Sequence, residues 1–181
     1  IGAAATNFAL KSNLPVEGLI RSTVFDHFCG GINATDCRTK IKKMYNSGVY
    51  SVLDYSVEGK QNEAQFDFIV EKTLELIDFA AKNTAMPFAV FKPTAVGRFE
   101  LYEKVSKSDS LTPAEIKAWN RIKDRFHAIF KYAQKMNIGI LVDAEESWMQ
   151  DSADALLLAL MKDYKKEKVV VYNTIQAYRW N

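Results

Sequence analysis

A lysine, a run of carboxylates and a glutamine stand at the ends of apolar segments, where charged and amide groups are costly. Lys92 closes Phe88-Ala89-Val90-Phe91-Lys92-Pro93. A cation there needs an anion or a polar cleft. It would anchor an anionic substrate or act as an amine nucleophile of depressed pKa. The plainer alternative is a lysine snorkelling from a strand end. Asp143-Ala144-Glu145-Glu146 follows the apolar residues 138–142. Three carboxylates in four residues ask for a cation: a metal, a substrate ammonium or a basic side chain. Alternation sends Asp143 and Glu145 to one side and Glu146 to the other. Alternatively, Glu145 and Glu146 complement the positive end of a helix. Asp54 and Glu58 flank the end of a further apolar segment, able to pair with Lys92, to meet cations from outside the chain, or simply to solvate a loop. Gln176, in Tyr172-Asn173-Thr174-Ile175-Gln176, places an amide in a strand pattern. A buried amide needs several partners, which a polar cofactor edge or neighbouring side chains would supply.

Other reactive residue types carry less. His27 and His127 lie far apart without metal-ligand spacing, and no metal site is expected. Cys29 and Cys37 form neither a disulfide framework nor a zinc site and read as reduced thiols. Arg38, Lys40, Lys42 and Lys43 read as a solvated helix face, and Trp119, Trp148 and Trp180 as packing residues. The 181-residue chain has a formal net charge of +2, spread along its length, which gives no case for nucleic-acid binding. Apolar residues make up 48% and charged residues 25%, the balance of a globular domain with a real core. No apolar run approaches the roughly 18 residues of a membrane span. The chain opens Ile1-Gly2-Ala3 without a signal-peptide pattern and stops at Trp180-Asn181 directly after a strand pattern. It therefore reads as a piece of a longer protein.

These candidates need elements to position them. Residues 15–28 carry Val16, Leu19, Ile20, Val24 and Phe28 at helical spacing. Cys29-Gly30-Gly31 breaks that pattern, a second helix spans 35–46, and Gly48 is its C′ stop. Four short runs rich in Val, Ile, Phe and Tyr follow at 49–54, 88–92, 138–143 and 169–176, each read as a buried strand. Amphipathic helices at 62–83, 113–136 and 147–165 separate them. Thr112-Pro113-Ala114-Glu115 is a capping box with Pro at N1, and Ser147 with Gln150 reads as another. Alternation of strand and helix predicts an α/β fold with a parallel sheet. The turn after the first run, Tyr55-Ser56-Val57-Glu58-Gly59, lacks the glycine pattern of a dinucleotide fold. One functional set per strand end suits a (β/α)8 TIM-type barrel. Such a barrel takes roughly 250 residues, so the expectation is a helical arm at 1–48 and an incomplete, first-half barrel at 49–181. Open strand edges then invite self-association.

At these residues the chain resembles the proline dehydrogenase family, flavin-dependent barrel enzymes. The matching segments are Phe28-Cys29-Gly30-Gly31, Leu53-Asp54-Tyr55-Ser56-Val57-Glu58-Gly59, Phe91-Lys92-Pro93-Thr94-Ala95-Val96-Gly97, Leu141-Val142-Asp143-Ala144-Glu145 and Asn173-Thr174-Ile175-Gln176-Ala177-Tyr178. The wording is closest to the stand-alone, single-function type. The resemblance implies oxidation of L-proline to Δ1-pyrroline-5-carboxylate in proline catabolism, with FAD as hydride acceptor and a quinone-type acceptor reoxidising it. It implies that Lys92 contacts the proline carboxylate and that Asp143, beside flavin and substrate, is the catalytic aspartate. Ala144 would offer its backbone to FAD, and Gln176 would hydrogen-bond the isoalloxazine. Asp54 and Glu58 match acidic residues on the first strand and loop, the glutamate pairing with a substrate-binding arginine. Glu145 would support the site. A cytoplasmic protein is implied, peripheral to the inner membrane where it meets quinone, or mitochondrial in a eukaryote. The family's later strands carry an Arg/Lys-Gly-Ala-Tyr segment and a pair of arginines that are absent from this sequence, so the chain by itself is expected to hold FAD weakly or not at all and to turn over no proline. Two other readings remain: a Schiff-base barrel lyase with Lys92 as nucleophile and Asp143 or Glu145 as proton shuttle, and a non-catalytic half-barrel interaction module.

Overall fold

A computed structural model describes Thr23 and residues 25–55, 62–164 and 168–180. The chain falls into two compact units, one ending at Lys43 and the other beginning at Met44. Most of the helix expected over 15–28 lies outside the described residues. What is described is one turn, α1 (Asp26–Phe28), ended by extended Cys29. Asn33 Oδ1 then accepts from the Asp36 N–H at 3.0 Å, an Asx-type turn that leads into α2 (Arg38–Asn46). Gly48 stops α2 as its sequence predicts. Its φ is +77°, and the Gly48 N–H and Val49 N–H donate to the carbonyls of Tyr45 and Met44 at 2.9 and 3.0 Å. These are the two bonds of a Schellman motif.

From Met44 onward, helices alternate with a parallel sheet. The elements are α3 (Glu63–Ala81), β1 (Phe88–Phe91), a 3-10 turn (Pro93–Ala95), α4 (Phe99–Ser106), α5 (Pro113–Met136), β2 (Gly139–Val142), α6 (Ser147–Asp163) and β3 (Val171–Asn173). Sheet order is β1-β2-β3, all parallel. α3 packs on α5, and α4 on α6. The capping box at Thr112 and Glu115 is formed in both directions and fixes where α5 starts. Asn62 caps α3, its side chain accepting from the Gln65 N–H at 2.9 Å. At α6 the expected Ser147 box is absent. Glu146 is the N-cap, without a side-chain bond. Gln150 reaches back instead to the Glu145 N–H, its Oε1 accepting at 3.0 Å.

Strand alternation sorts side chains between two faces. Ala89, Phe91, Ile140, Val142 and Val171 join the helices in one core. There the Phe91 ring meets Phe126 edge-on at 5.1 Å, and Phe126 meets Phe130 at 5.7 Å. Such pairs contribute about 0.5–1.5 kcal/mol each beyond their buried area. Phe88, Gly139, Leu141 and Tyr172 take the opposite parity, with Phe88 opposite Gly139 and Leu141 opposite Tyr172. On that face the rings of Phe88 and Tyr172 meet at 5.3 Å. A Cβ on Gly139 would fall 2.4 Å from Phe88 Cδ1 and 3.2 Å from Tyr172 Cε2, so only glycine lets the rings close. The same parity continued past the strand ends reaches Lys92, Asp143 and Gln176.

Two sequence expectations need correction. Residues 49–54 are not a strand. The Ser51 N–H donates to the Ala85 carbonyl at 2.9 Å, but no ladder with β1 forms among the described residues. Val49, Tyr50 and Val52 are exposed, and a parallel strand holds only where both faces are covered. The sheet therefore has three described strands rather than four. Helix α4 was not expected. It has eight residues, with Leu101 and Tyr102 buried and no side-chain cap to mark its start.

Candidate active site

The strand-end residues converge in two linked groups. In the first, the extended segment before residue 55 delivers Asp54, β1 delivers Lys92 and β2 delivers Asp143. Lys92 Nζ donates to Asp54 Oδ2 and stands 3.6 Å from Asp143 Oδ2. Extending the β1–β2 register by one residue sets Lys92 opposite Asp143, and the Asp143 N–H donates to the Phe91 carbonyl at 3.1 Å. The cation that Asp143 faces here is thus the lysine ammonium. Burial opposes charge on Lys92, but the Asp54 hydrogen bond and the charges of Asp54 and Asp143 outweigh it, so its pKa lies above the ordinary lysine value. The Schiff-base reading needs a neutral amine, which this pair of carboxylates does not favour. The ammonium is retained across the neutral range, as an anchor for an anion requires. It is only partly buried, with 34% of its side chain exposed, so a solute can reach it.

In the second group Glu145 joins three loops. Its carboxylate accepts from the Thr94 N–H at 2.8 Å and from Thr94 Oγ1 at 2.6 Å. Its carbonyl accepts from Gln176 Nε2, beyond β3. Its N–H donates to Gln150 Oε1 on α6. Gln150, 2% exposed, is held in turn by Asp154 Oδ1 at 2.9 Å, and the same oxygen accepts from Asn173 Nδ2 on β3 at 2.9 Å. Burial raises the Glu145 carboxyl above the usual range, against the Thr94 hydrogen bonds and the Lys92 charge that lower it. Tyr102, wholly buried, donates its hydroxyl to the Pro93 carbonyl at 2.9 Å and so fixes the loop that carries Thr94.

Asp54, Lys92, Asp143, Glu145 and Gln176 are therefore brought to one end of the sheet, with Ala144 between Asp143 and Glu145. Glu58 lies outside the described residues. Thr94, Gln150, Asp154 and Asn173 were not singled out from sequence. One signal was available: Gln150 and Ser152 are the polar residues among the buried positions of α6, which otherwise carry Met149, Ala153, Leu156, Leu157 and Leu160. Of the tryptophans, Trp119 packs on Tyr102 at 5.3 Å, whereas Trp148 and Trp180 are exposed.

The donor set fits an isoalloxazine edge. Gln176 Oε1 is buried and accepts no hydrogen bond from the described residues. The peptide groups of Ala144 likewise have no partner among the described residues. An acceptor and an open peptide at the strand end that carries the Lys92 ammonium can hold a flat polar ring next to an amino acid.

Comparisons with known proteins bear on the family and the fold. The family model described as proline dehydrogenase matches residues 37–181. The chain is 34% identical over 172 residues to the carbapenem antibiotics biosynthesis protein CarD of Pectobacterium carotovorum subsp. carotovorum, covering 94% of this chain and 46% of that relative. It is 26% identical over 204 residues to the mitochondrial proline dehydrogenase 1 of Dictyostelium discoideum, covering 92% of this chain and 36% of the relative. The chain thus spans less than half the length of these curated relatives. Proline utilization A (PutA) from Bdellovibrio bacteriovorus, in a crystal structure of the protein inactivated by N-propargylglycine, superposes with a TM-score of 0.70 at 17% identity, over 89% of this chain and 18% of that one. That likeness is one of fold, and it identifies the three parallel strands and their helices as part of a TIM-type barrel. With the family match spanning most of its length, the chain belongs to the proline dehydrogenase family.

Proposed function

We propose that the intact protein carrying this chain is an FAD-dependent proline dehydrogenase, oxidising L-proline to Δ1-pyrroline-5-carboxylate. The observation that carries this reading is the Lys92 ammonium between Asp54 and Asp143, at the same end of the sheet as Gln176, which is held through the Glu145 carbonyl and keeps a buried acceptor. Proline is a zwitterion. Lys92 binds its carboxylate, and Asp143 faces its ring nitrogen and orients the ring. Ala144 offers its peptide groups, and Gln176 its Oε1, to the isoalloxazine edge. FAD, when bound, supplies the hydride acceptor. The chain's own share is orientation and charge compensation. Glu58 pairs with an arginine supplied from outside this chain. A quinone-type acceptor reoxidises the flavin, through peripheral contact with a membrane. Among the described residues no helix is long and apolar enough to cross one. The compartment is the cytoplasm, or the mitochondrion if the source is eukaryotic.

The test is a purified intact protein that is yellow and reduces a dye when L-proline is added. A colourless protein, or a yellow one indifferent to proline, contradicts the proposal. The identity to CarD favours a second setting for the same chemistry, antibiotic biosynthesis rather than proline catabolism. Deleting the gene and scoring growth on proline against carbapenem production separates the two.

A further inference from the structure

Glu145 has no assigned part in binding, yet the loops after all three described strands meet at it. Its carboxylate uses one oxygen for the Thr94 N–H and the other for the Thr94 hydroxyl, at 2.8 and 2.6 Å. Its N–H is fixed by buried Gln150, and its carbonyl accepts from Gln176 Nε2. It does not decorate a helix end, because its side chain turns away from α6 toward the β1 loop. The Gln176 bond has a directional consequence. A carbonyl oxygen only accepts, so the amide nitrogen must face Glu145 and Oε1 must face the other way. That oxygen is the buried acceptor without a partner among the described residues.

We propose that Glu145 is the positioning residue of the site: by bracing Thr94 with its carboxylate and Gln176 with its carbonyl, it dictates which way Gln176 presents Oε1. The group received there is a single hydrogen-bond donor, such as a ring N–H. That identity rests on the flavin reading; the bracing does not.

The test uses the intact protein labelled with 15N-glutamine, the Gln176 side-chain amide being assigned by its loss in Gln176→Leu. In the wild type its protons exchange slowly with water and resonate apart from exposed glutamines. In Glu145→Ala the carboxylate brace is gone, the loop relaxes, and the Gln176 signal moves to the position and fast exchange of an exposed amide. Glu145→Gln restores the wild-type signal, because its oxygen accepts from the Thr94 N–H and its NH2 donates to the Thr94 hydroxyl. If Glu145→Ala does not fold, Thr94→Val against Thr94→Ser gives the same comparison by removing and restoring one hydroxyl. A Gln176 signal unchanged in a folded Glu145→Ala or Thr94→Val, or lost equally in the conservative partner, overturns the proposal. The readout needs no cofactor. A wild-type protein that binds no flavin sinks the flavin reading, while the amide comparison still decides the role of Glu145.

Discussion

In the proposed function, Lys92 is the residue on which substrate binding turns. A charge-assisted hydrogen bond contributes about 1.5–3 kcal/mol, and removing the only described ammonium at this strand end removes that contact from substrate. Lys92→Ala in the intact protein should lower kcat/KM for proline by about 10- to 150-fold, most of it through KM, in steady-state dye reduction. Unchanged kinetics would make Lys92 a structural partner of Asp54 alone. Lys92 and Asp143 were legible in the sequence because a charge abutting an apolar run is expensive wherever it lies. Their pairing with each other was not drawn from the sequence; it appears once the strand register sets them side by side. The network behind Glu145 was not legible: Thr94 and Asn173 are ordinary loop and strand residues until a distant carboxylate or amide reaches them. Ser147 with Gln150 carried the wording of a capping box, but the bond goes to the Glu145 peptide, two residues before Ser147.

Among the elements, α5 was fully legible and the first expected strand was not. The difference is one of local against remote causes. Thr112, Pro113 and Glu115 specify a helix start by bonds within one turn, whereas residues 49–54 needed a covered second face that sequence does not report. The α5 cap has a pH signature. Glu115 is held down to a pKa of about 2, first by Lys104 and then by the Thr112 backbone and hydroxyl. Its folded value lies below its unfolded one, so its contribution to stability is present above about pH 4.5 and is lost as pH falls toward 2. Urea midpoints of the wild type and Glu115→Gln should differ at pH 6 and converge across that window. A constant gap would contradict the assignment. Arg125, 5% exposed, pins α5 to Glu63 and Asp67 of α3 and to the Val96 carbonyl. Arg125→Met leaves the carboxylates partly solvated but strands that carbonyl, a loss of about 1–3 kcal/mol in denaturant melts. Gly139→Ala should cost a similar amount, about 1–3 kcal/mol, by forcing the Phe88 and Tyr172 rings apart.

At the scale of the whole molecule, the described sheet ends at β3, whose outer edge pairs with no other described strand. The curated relatives compared are more than twice as long as the stretch that this chain matches. The class of fold could be read from the alternation of strands and helices, but not how much of a barrel the chain completes, because closure is a matter of which strands pair, and that does not show in local patterning. Expressed as given, the chain should retain no flavin, reduce no dye with proline and associate through its open edge in size-exclusion chromatography. A yellow, active, monomeric sample of this chain would contradict the half-barrel reading.

The most direct test of the central claim is an anaerobic titration of the intact flavoprotein with L-proline, followed at the visible flavin band. Progressive bleaching in the wild type, with half-saturation displaced to much higher proline in Lys92→Ala, is the result expected. A band that proline leaves untouched, or one that bleaches at the same proline concentration in both proteins, would contradict it.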